Sequence, residues 1–145
     1  MSRAVWILLV ASLSVFMFGA CGDEGEHEHD EEHGDHSHDE VGPPSGAECP
    51  DGSTLTYENF GKEFIADYCL GCHSSKVTGN ARMGAPGDHN FDTLGEIDLV
   101  SGHIDQLAAF GPDSENDDMP RGSGDKPTDD ERRKLGEWIA CGLEE

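Results

Sequence analysis

The chain has 145 residues, enough for one domain, and carries a formal net charge of −22, with 31 acidic residues against nine Lys and Arg. Such a charge repels nucleic acid and anionic membrane surfaces and attracts basic partners. The sequence contains neither a phosphate-binding loop nor a basic patch, so we expect no nucleic-acid ligand.

The N-terminal segment predicts export. Arg3 precedes an apolar run from Ala4 to Phe18, which has the length of a signal h-region and is short for a membrane span, so residues 1–20 are interpreted as a signal peptide. The residues that follow resemble a bacterial lipobox, which implies cleavage before Cys21 and lipidation of its thiol. An ordinary signal peptide cut nearby and an uncleaved anchor are the alternatives. The lipobox implies a lipid-anchored protein on the periplasmic side of a bacterial membrane.

The composition of residues 21–48 predicts a disordered, solvated linker, because the segment has almost no apolar side chains to bury. Ten of the acidic residues lie between Asp23 and Glu40. Imidazoles alternate with these carboxylates, and both are ligands for copper, zinc or nickel. A weak metal-binding tether is therefore one hypothesis and a plain spacer is the other. The histidines concerned are His27, His29, His33, His36 and His38.

Residues 49–145 predict an all-α domain with at least three helices. The first helix is expected over Thr56–Tyr68, where aromatic residues recur every three or four positions. The second is expected over Leu94–Phe110, with Ile97, Val100, Ile104 and Leu107 along one face and a stop at Gly111-Pro112.

The third helix begins at a capping box, in which Thr128 takes the N-cap and Glu131 the third helical position, and it ends at Gly142. No segment has the pattern of a convincing strand. The connections at residues 74–93 and 111–127 are long for so small a domain, and long loops usually enclose something. They predict that the domain wraps a cofactor.

The motif CLGCH closes the first predicted helix and places Cys69, Cys72 and His73 together. A redox dithiol would require a surrounding parallel sheet, and a zinc site would require two further ligands at suitable spacing. Covalent haem requires two thiols for thioether bonds and an adjacent histidine for the iron. An exported chain with long wrapping loops favours one c-type haem.

Three stretches carry a family resemblance: FIADYCLGCH at residues 64–73, GAPGDHNFDT at residues 84–93, and MPRGSGDKPTDDERRKLGEWIACG at residues 119–142. They resemble small bacterial class I c-type cytochromes of the monohaem, periplasmic lipoprotein type, over about residues 49–143. The resemblance implies a cytochrome c helical fold around one haem. It also implies a single-electron carrier rather than an enzyme.

His73 is expected to bind one face of the iron. Candidates for the other face are Met83, His89, His103 and Met119. A methionine thioether stabilises ferrous iron, and Met119 lies 46 residues beyond His73 in a polar loop, far enough for the chain to pass around the haem edge. The resemblance also places the methionine ligand at Met119, so we prefer it and keep the other three as alternatives.

The resemblance implies two further roles. The carbonyl of Pro86 is expected to accept the free N–H of the proximal imidazole, as a partner that fixes the ring. Gly61 and Trp138 match the glycine and the aromatic residue where the first and last helices of such cytochromes cross.

Two cysteines remain. Cys49 precedes the first helix and Cys141 ends the last, so crossing helices would bring them together, and an oxidising compartment favours their pairing. We expect a disulfide; free thiols or an intermolecular link are the alternatives.

The sequence thus predicts a monomeric, lipid-anchored electron carrier whose redox partner has a basic docking face. A haem-based gas or peroxide sensor is one alternative. A metal-binding module that uses the histidine-rich segment is the other.

Overall fold

The structure is a computed structural model that describes residues 41–145. Cys21, residues 1–20 and the five tether histidines lie outside this part. Within it the chain is helical and contains no strand, only one isolated bridge between Phe110 and Glu115. The all-α prediction is therefore confirmed for this part. The elements are a π-helical turn at Tyr57–Gly61, α1 at Lys62–Tyr68, a 3₁₀ turn at Gly79–Arg82, α2 at Leu94–Leu99, α3 at Ser101–Ala108 and α4 at Asp129–Ala140.

The first predicted helix is present, but it opens with the π-helical turn rather than an α-helical one. Thr56 is its N-cap: its hydroxyl accepts from Asn59 N at 3.2 Å, and the Asn59 side chain accepts from Thr56 N at 2.8 Å. This reciprocal pair satisfies two N–H groups that a helix start leaves without partners. Phe64 and Ile65 then face the core, at 4% and 2% exposure.

The second prediction, one helix over Leu94–Phe110, is wrong. The chain forms two helices separated at Val100, whose φ of −125° and ψ of 16° are not helical. Ile97 and Ile104 are both buried as expected, so the break preserves the apolar face. Hydrophobic spacing constrains which residues face the core and does not require an unbroken backbone.

The third prediction is confirmed at its start. Thr128 Oγ1 accepts from Glu131 N at 3.3 Å, and Glu131 Oε2 accepts from Thr128 N at 2.7 Å, which completes the capping box of α4. Leu135 and Trp138 on the inner face are fully buried. The helix ends at Ala140, two residues before Gly142, whose φ is +82°.

The π-helical turn and α4 meet at Gly61. A Cβ built at Gly61 would overlap atoms Cη2 and Cζ2 of the Trp138 indole, so only glycine allows this approach. Tyr57 and Phe60 place their rings 6.3 and 6.2 Å from the Trp138 ring. The expected pairing of Gly61 with Trp138 is thus present.

The covalent closure of the domain is also present. Cys49 and Cys141 form a disulfide with a Cα–Cα distance of 4.7 Å, as expected. The bond joins residues 92 positions apart: Cys49 lies in the segment that leads to the first helical turn at Tyr57–Gly61, and Cys141 is the C-cap of α4. It therefore fixes the two ends of the domain to each other.

The packed region extends closer to the N-terminus than residue 49, where the sequence analysis put the boundary between linker and domain. Ser45 is fully buried, its N–H and hydroxyl donate to the Asp105 carboxylate at 2.8 and 2.5 Å, and its carbonyl accepts from Asp113 N. Asn116 Nδ2 donates to the carbonyl of Pro43 at 3.0 Å. Polar hydrogen bonds replace apolar burial here, which is why composition did not reveal this segment.

Candidate functional site

The CLGCH motif forms the turn that follows α1. Cys69 is the C-cap of that helix and donates its N–H to Ile65 O at 3.0 Å. The N–H groups of Cys72 and His73 both donate to Cys69 O, at 3.1 and 2.9 Å. The helix end thus holds all three residues within one tight turn, and both thiols are free of disulfide bonds.

Burial raises the pKa of the Cys69 thiol to about 12, although the positive charge of Arg132 opposes this shift. The thiol is therefore protonated at neutral pH. Thiolate is the form that attacks disulfides and binds zinc, so the environment of Cys69 disfavours both activities. Covalent attachment of a c-type haem uses two thiols, one for each vinyl group, beside a histidine, and Cys69, Cys72 and His73 provide this donor set.

His73 presents one fixed nitrogen and one available nitrogen. Its Nδ1 lies 3.0 Å from the carbonyl oxygen of His89. Because a carbonyl only accepts, Nδ1 carries the proton and Nε2 carries the lone pair that binds a metal. The ring stacks on Phe91 with centroids 4.4 Å apart and planes 4° apart. Burial lowers the pKa of His73, which favours the neutral, ligating form.

The prediction that Pro86 supplies this carbonyl is wrong. The Pro86 carbonyl accepts instead from Arg82 Nη2, at 2.5 Å. His89 takes the role because Phe91 N donates to the carbonyl of His73 at 2.7 Å, which aligns the backbone of residues 89–91 beside the histidine.

The segment after the motif is held by Asp92. Its carboxylate accepts from Ser74 Oγ at 2.6 Å and from Ser75 N at 2.7 Å. These hydrogen bonds, that of Ser74 first, lower the pKa of Asp92. Asp92 and Phe91 together attach the end of the loop to its beginning, so His73 lies in a closed loop.

Arg82 is a residue of this site that the sequence analysis missed. Its half-buried guanidinium donates to the carbonyls of the loop that carries His73 and His89. The sequence contains a signal for it: Arg82 is the one charged residue between Val77 and Gly87, in a stretch of Gly, Ala and Pro that offers its backbone carbonyls as acceptors.

Met119 lies in the connection between α3 and α4. Its N–H donates to Leu107 O at 2.9 Å, and its half-buried side chain packs against the same apolar core as Tyr68, Cys69 and Leu70. The structure therefore brings Met119 to the core that the CLGCH turn also contacts.

Arg132, also missed from the sequence, supports the Met119 loop. It is only 3% exposed, and its Nη1 donates to the carbonyls of Ala108 and Asn116 at 2.8 and 3.2 Å. Its guanidinium also lies 5.5 Å from the centroid of the Phe110 ring. Burial lowers the pKa of Arg132, while Asp117 and Asp129 act in the opposite direction.

The alternative ligands lie in other surroundings. Met83 is 57% exposed, and its Cε lies beside Gly122. His89 Nε2 lies 3.1 Å from Nδ1 of His103, and the two rings stack 5.3 Å apart. His89 Nδ1 contacts the Asp88 carboxylate at 2.9 Å. His89 and His103 contact each other, and the Met83 side chain is exposed. Met119 is therefore the better candidate for the second axial ligand.

Two features are absent from residues 41–145. No group of three or more His, Cys, Asp or Glu side chains there is arranged to hold a metal ion. A c-type haem requires no such group, because it is held by two thiols, one imidazole and one thioether. In the same residues, no helix combines the length and apolarity needed to cross a bilayer.

Comparisons with models of known protein families, with curated proteins and with solved structures found no match to this chain.

Proposed function

We propose that this chain is a single-electron carrier of the class I cytochrome c type, with one covalently bound haem c. Cys69 and Cys72 are its attachment points, and His73 and Met119 are its axial ligands. One observation carries the proposal: the carbonyl of His89 fixes the proton of His73 on Nδ1, which leaves Nε2 as a ligand beside two unpaired thiols.

The chain's residues would act on the haem by position and by exclusion of water. The bound group supplies one-electron exchange between ferric and ferrous iron. His73 is held neutral and oriented, and Phe91 supports the face of its ring. Met119 packs against the apolar core, and an apolar surrounding disfavours the extra positive charge of the ferric state.

Charge determines the kind of partner. From residue 41 onward the chain has 21 acidic residues and eight Lys or Arg, and the sequence pI is about 4.4. A strongly acidic surface increases the rate of encounter with a basic docking face and makes that rate sensitive to salt. We therefore propose a basic redox protein as partner. The expected lipid on Cys21 would keep the carrier at the periplasmic side of a bacterial membrane.

Optical spectroscopy of the protein expressed with its export signal tests this proposal. We expect covalent haem that survives acid–acetone extraction, and in the ferric form a weak long-wavelength band from methionine ligation. Met119→Ala should lose that band and keep the covalent haem. Met83→Ala, which alters an exposed methionine, is the matched control and should retain the band.

Two results would contradict the proposal. Haem that extraction removes would exclude covalent attachment, and a band that persists in Met119→Ala would exclude Met119 as the ligand. Rapid and complete binding of carbon monoxide by the reduced wild-type protein would indicate a gas sensor instead, because a carrier with both axial positions occupied resists such binding.

A further inference from the structure

The Arg82 guanidinium lies inside the loop that follows the CLGCH motif. It contacts six oxygen atoms, and none of these acceptors is charged. Nε donates to Ala85 O at 3.1 Å. Nη1 donates to the carbonyls of Ser74 and Val77 at 2.9 and 3.3 Å and to the Asn90 side-chain oxygen at 3.0 Å. Nη2 donates to the carbonyls of Pro86 and His89 at 2.5 and 3.3 Å.

One of these acceptors is shared with the proposed haem ligand. The His89 carbonyl accepts from His73 Nδ1 at 3.0 Å and from Arg82 Nη2 at 3.3 Å. A carbonyl oxygen has two lone pairs and can accept both donors. A second, cationic donor withdraws electron density from the oxygen and weakens its pull on the His73 proton.

Resting on the proposed function, we infer that Arg82 is a positioning residue that sets the reduction potential of this cytochrome through the hydrogen bond between His73 and the His89 carbonyl. Two effects act in the same direction. A weaker hydrogen bond makes the imidazole a poorer electron donor, and a fixed positive charge opposes the charge gained on oxidation. Both favour the ferrous state and raise the potential.

The same contacts also allow a purely structural role, in which Arg82 only holds the loop closed. The two roles separate by substitution. Arg82→Lys keeps the positive charge but cannot reach six acceptors, since an ammonium has three donors on one nitrogen. Arg82→Met removes charge and donors together. Arg133→Met, which alters an exposed arginine of α4, is the control for loss of one positive charge.

The experiment is a spectroelectrochemical titration of the haem-loaded, full-length protein and these three variants. We expect the potential of Arg82→Met to fall by the equivalent of about a threefold to tenfold change in the equilibrium constant for one-electron exchange, where tenfold is about 59 mV. Arg82→Lys should retain at least half of the wild-type effect, and Arg133→Met should match wild type. In the reduced protein, the Nδ1–H proton resonance of His73 should move downfield in Arg82→Met, as its hydrogen bond strengthens.

Each other outcome overturns the inference. An unchanged potential and an unchanged His73 resonance in Arg82→Met would show that the guanidinium does not act on the ligand. Equal losses in Arg82→Lys and Arg82→Met, together with loss of the methionine band, would assign Arg82 a structural role. Wild-type protein without covalent haem would refute the proposed function, and the inference with it, whereas an intact haem spectrum with an insensitive potential refutes the inference alone.

Discussion

Gly61 and Trp138 lie in such close contact that the indole occupies the space where a side chain at residue 61 would begin. The contact joins the first helical segment to α4, and Tyr57 and Phe60 place their rings around the same indole. The packing of two sequence-distant segments thus depends on the absence of one methyl group.

Gly61→Ala should therefore destabilise the domain, although alanine is the better helix former. Its Cβ would overlap Trp138, and overpacking of this kind costs about 1–3 kcal/mol in the free energy of unfolding. Urea unfolding followed by tryptophan fluorescence measures the change. Gly95→Ala in α2, where a Cβ would meet nothing within 4 Å, is the control and should be neutral or slightly stabilising. Equal stability of the two variants would show that the contact at Gly61 is not limiting.

Removal of the disulfide should lower the free energy of unfolding without releasing the proposed haem. Cys49 and Cys141 close a long loop, and loss of such a bond costs about 2–5 kcal/mol. We expect the double variant Cys49→Ser/Cys141→Ser to unfold at lower urea concentration while it keeps its haem spectrum at low urea. A thiol reductant should have the same effect on wild type, because thioether bonds resist it. An unchanged midpoint would mean that the disulfide leaves the unfolded state unconstrained.

Arg132→Met should weaken both the fold and the proposed methionine ligation. The variant leaves the carbonyls of Ala108 and Asn116 without their donor in a buried position, which costs about 2–4 kcal/mol. Loosening of this loop should lower the midpoint at which the methionine band disappears on titration with urea. Arg133→Met, at the exposed neighbouring position, should change stability by less than about 0.5 kcal/mol. The prediction is wrong if both variants keep the wild-type midpoint.

The Glu131 carboxylate in the capping box of α4 should make the free energy of unfolding depend on pH in the acidic range. The pKa of Glu131 lies below its ordinary value of 4.5, chiefly because its carboxylate accepts a hydrogen bond from the Thr128 N–H. The hydrogen bond with the Thr128 hydroxyl contributes next, and the one with Tyr68 contributes less. Because the pKa of Glu131 is lower in the folded state, its ionised carboxylate stabilises the fold fully at pH values above 4.5. This stabilisation is lost as the pH falls through 4.5 towards the pKa of Glu131 in the folded state. We expect the urea midpoint to drop as the pH falls below about 5.

Glu131→Gln should reduce this pH dependence and cost about 0.3–1 kcal/mol at pH 7, because the carboxylate also interacts with the helix N-terminus. Glu63→Gln, an exposed substitution in the first turn of α1, is the control. A slope with pH that is identical in wild type and Glu131→Gln would exclude this carboxylate as its source.

The features that the sequence predicted correctly depend on local chemistry or on covalent constraint. The cap of α4 is formed by Thr128 and Glu131, three positions apart, so it can be identified without knowledge of the rest of the chain. The pairing of Cys49 with Cys141 required only that the two helical ends meet.

The features that the sequence did not predict depend on backbone direction. The apolar spacing continues through Val100, so the break in the second helix changes no side-chain pattern. The choice of His89 over Pro86 is determined by the orientation of the loop peptides beside His73. Arg82 and Arg132 were missed because a charged residue is expected in solvent, whereas both donate to backbone carbonyls that only the folded chain brings together.

The attachment of Ser45 to Asp105 also determines where the packed domain begins along the chain. Pro43 and Ser45 are both hydrogen-bonded to the domain, so packed residues begin before residue 49. Under the proposed lipidation of Cys21, covalent geometry alone limits the distance between that residue and Pro43 to about 75 Å. The proposed redox partner would then be met near the membrane surface, by lateral diffusion along it.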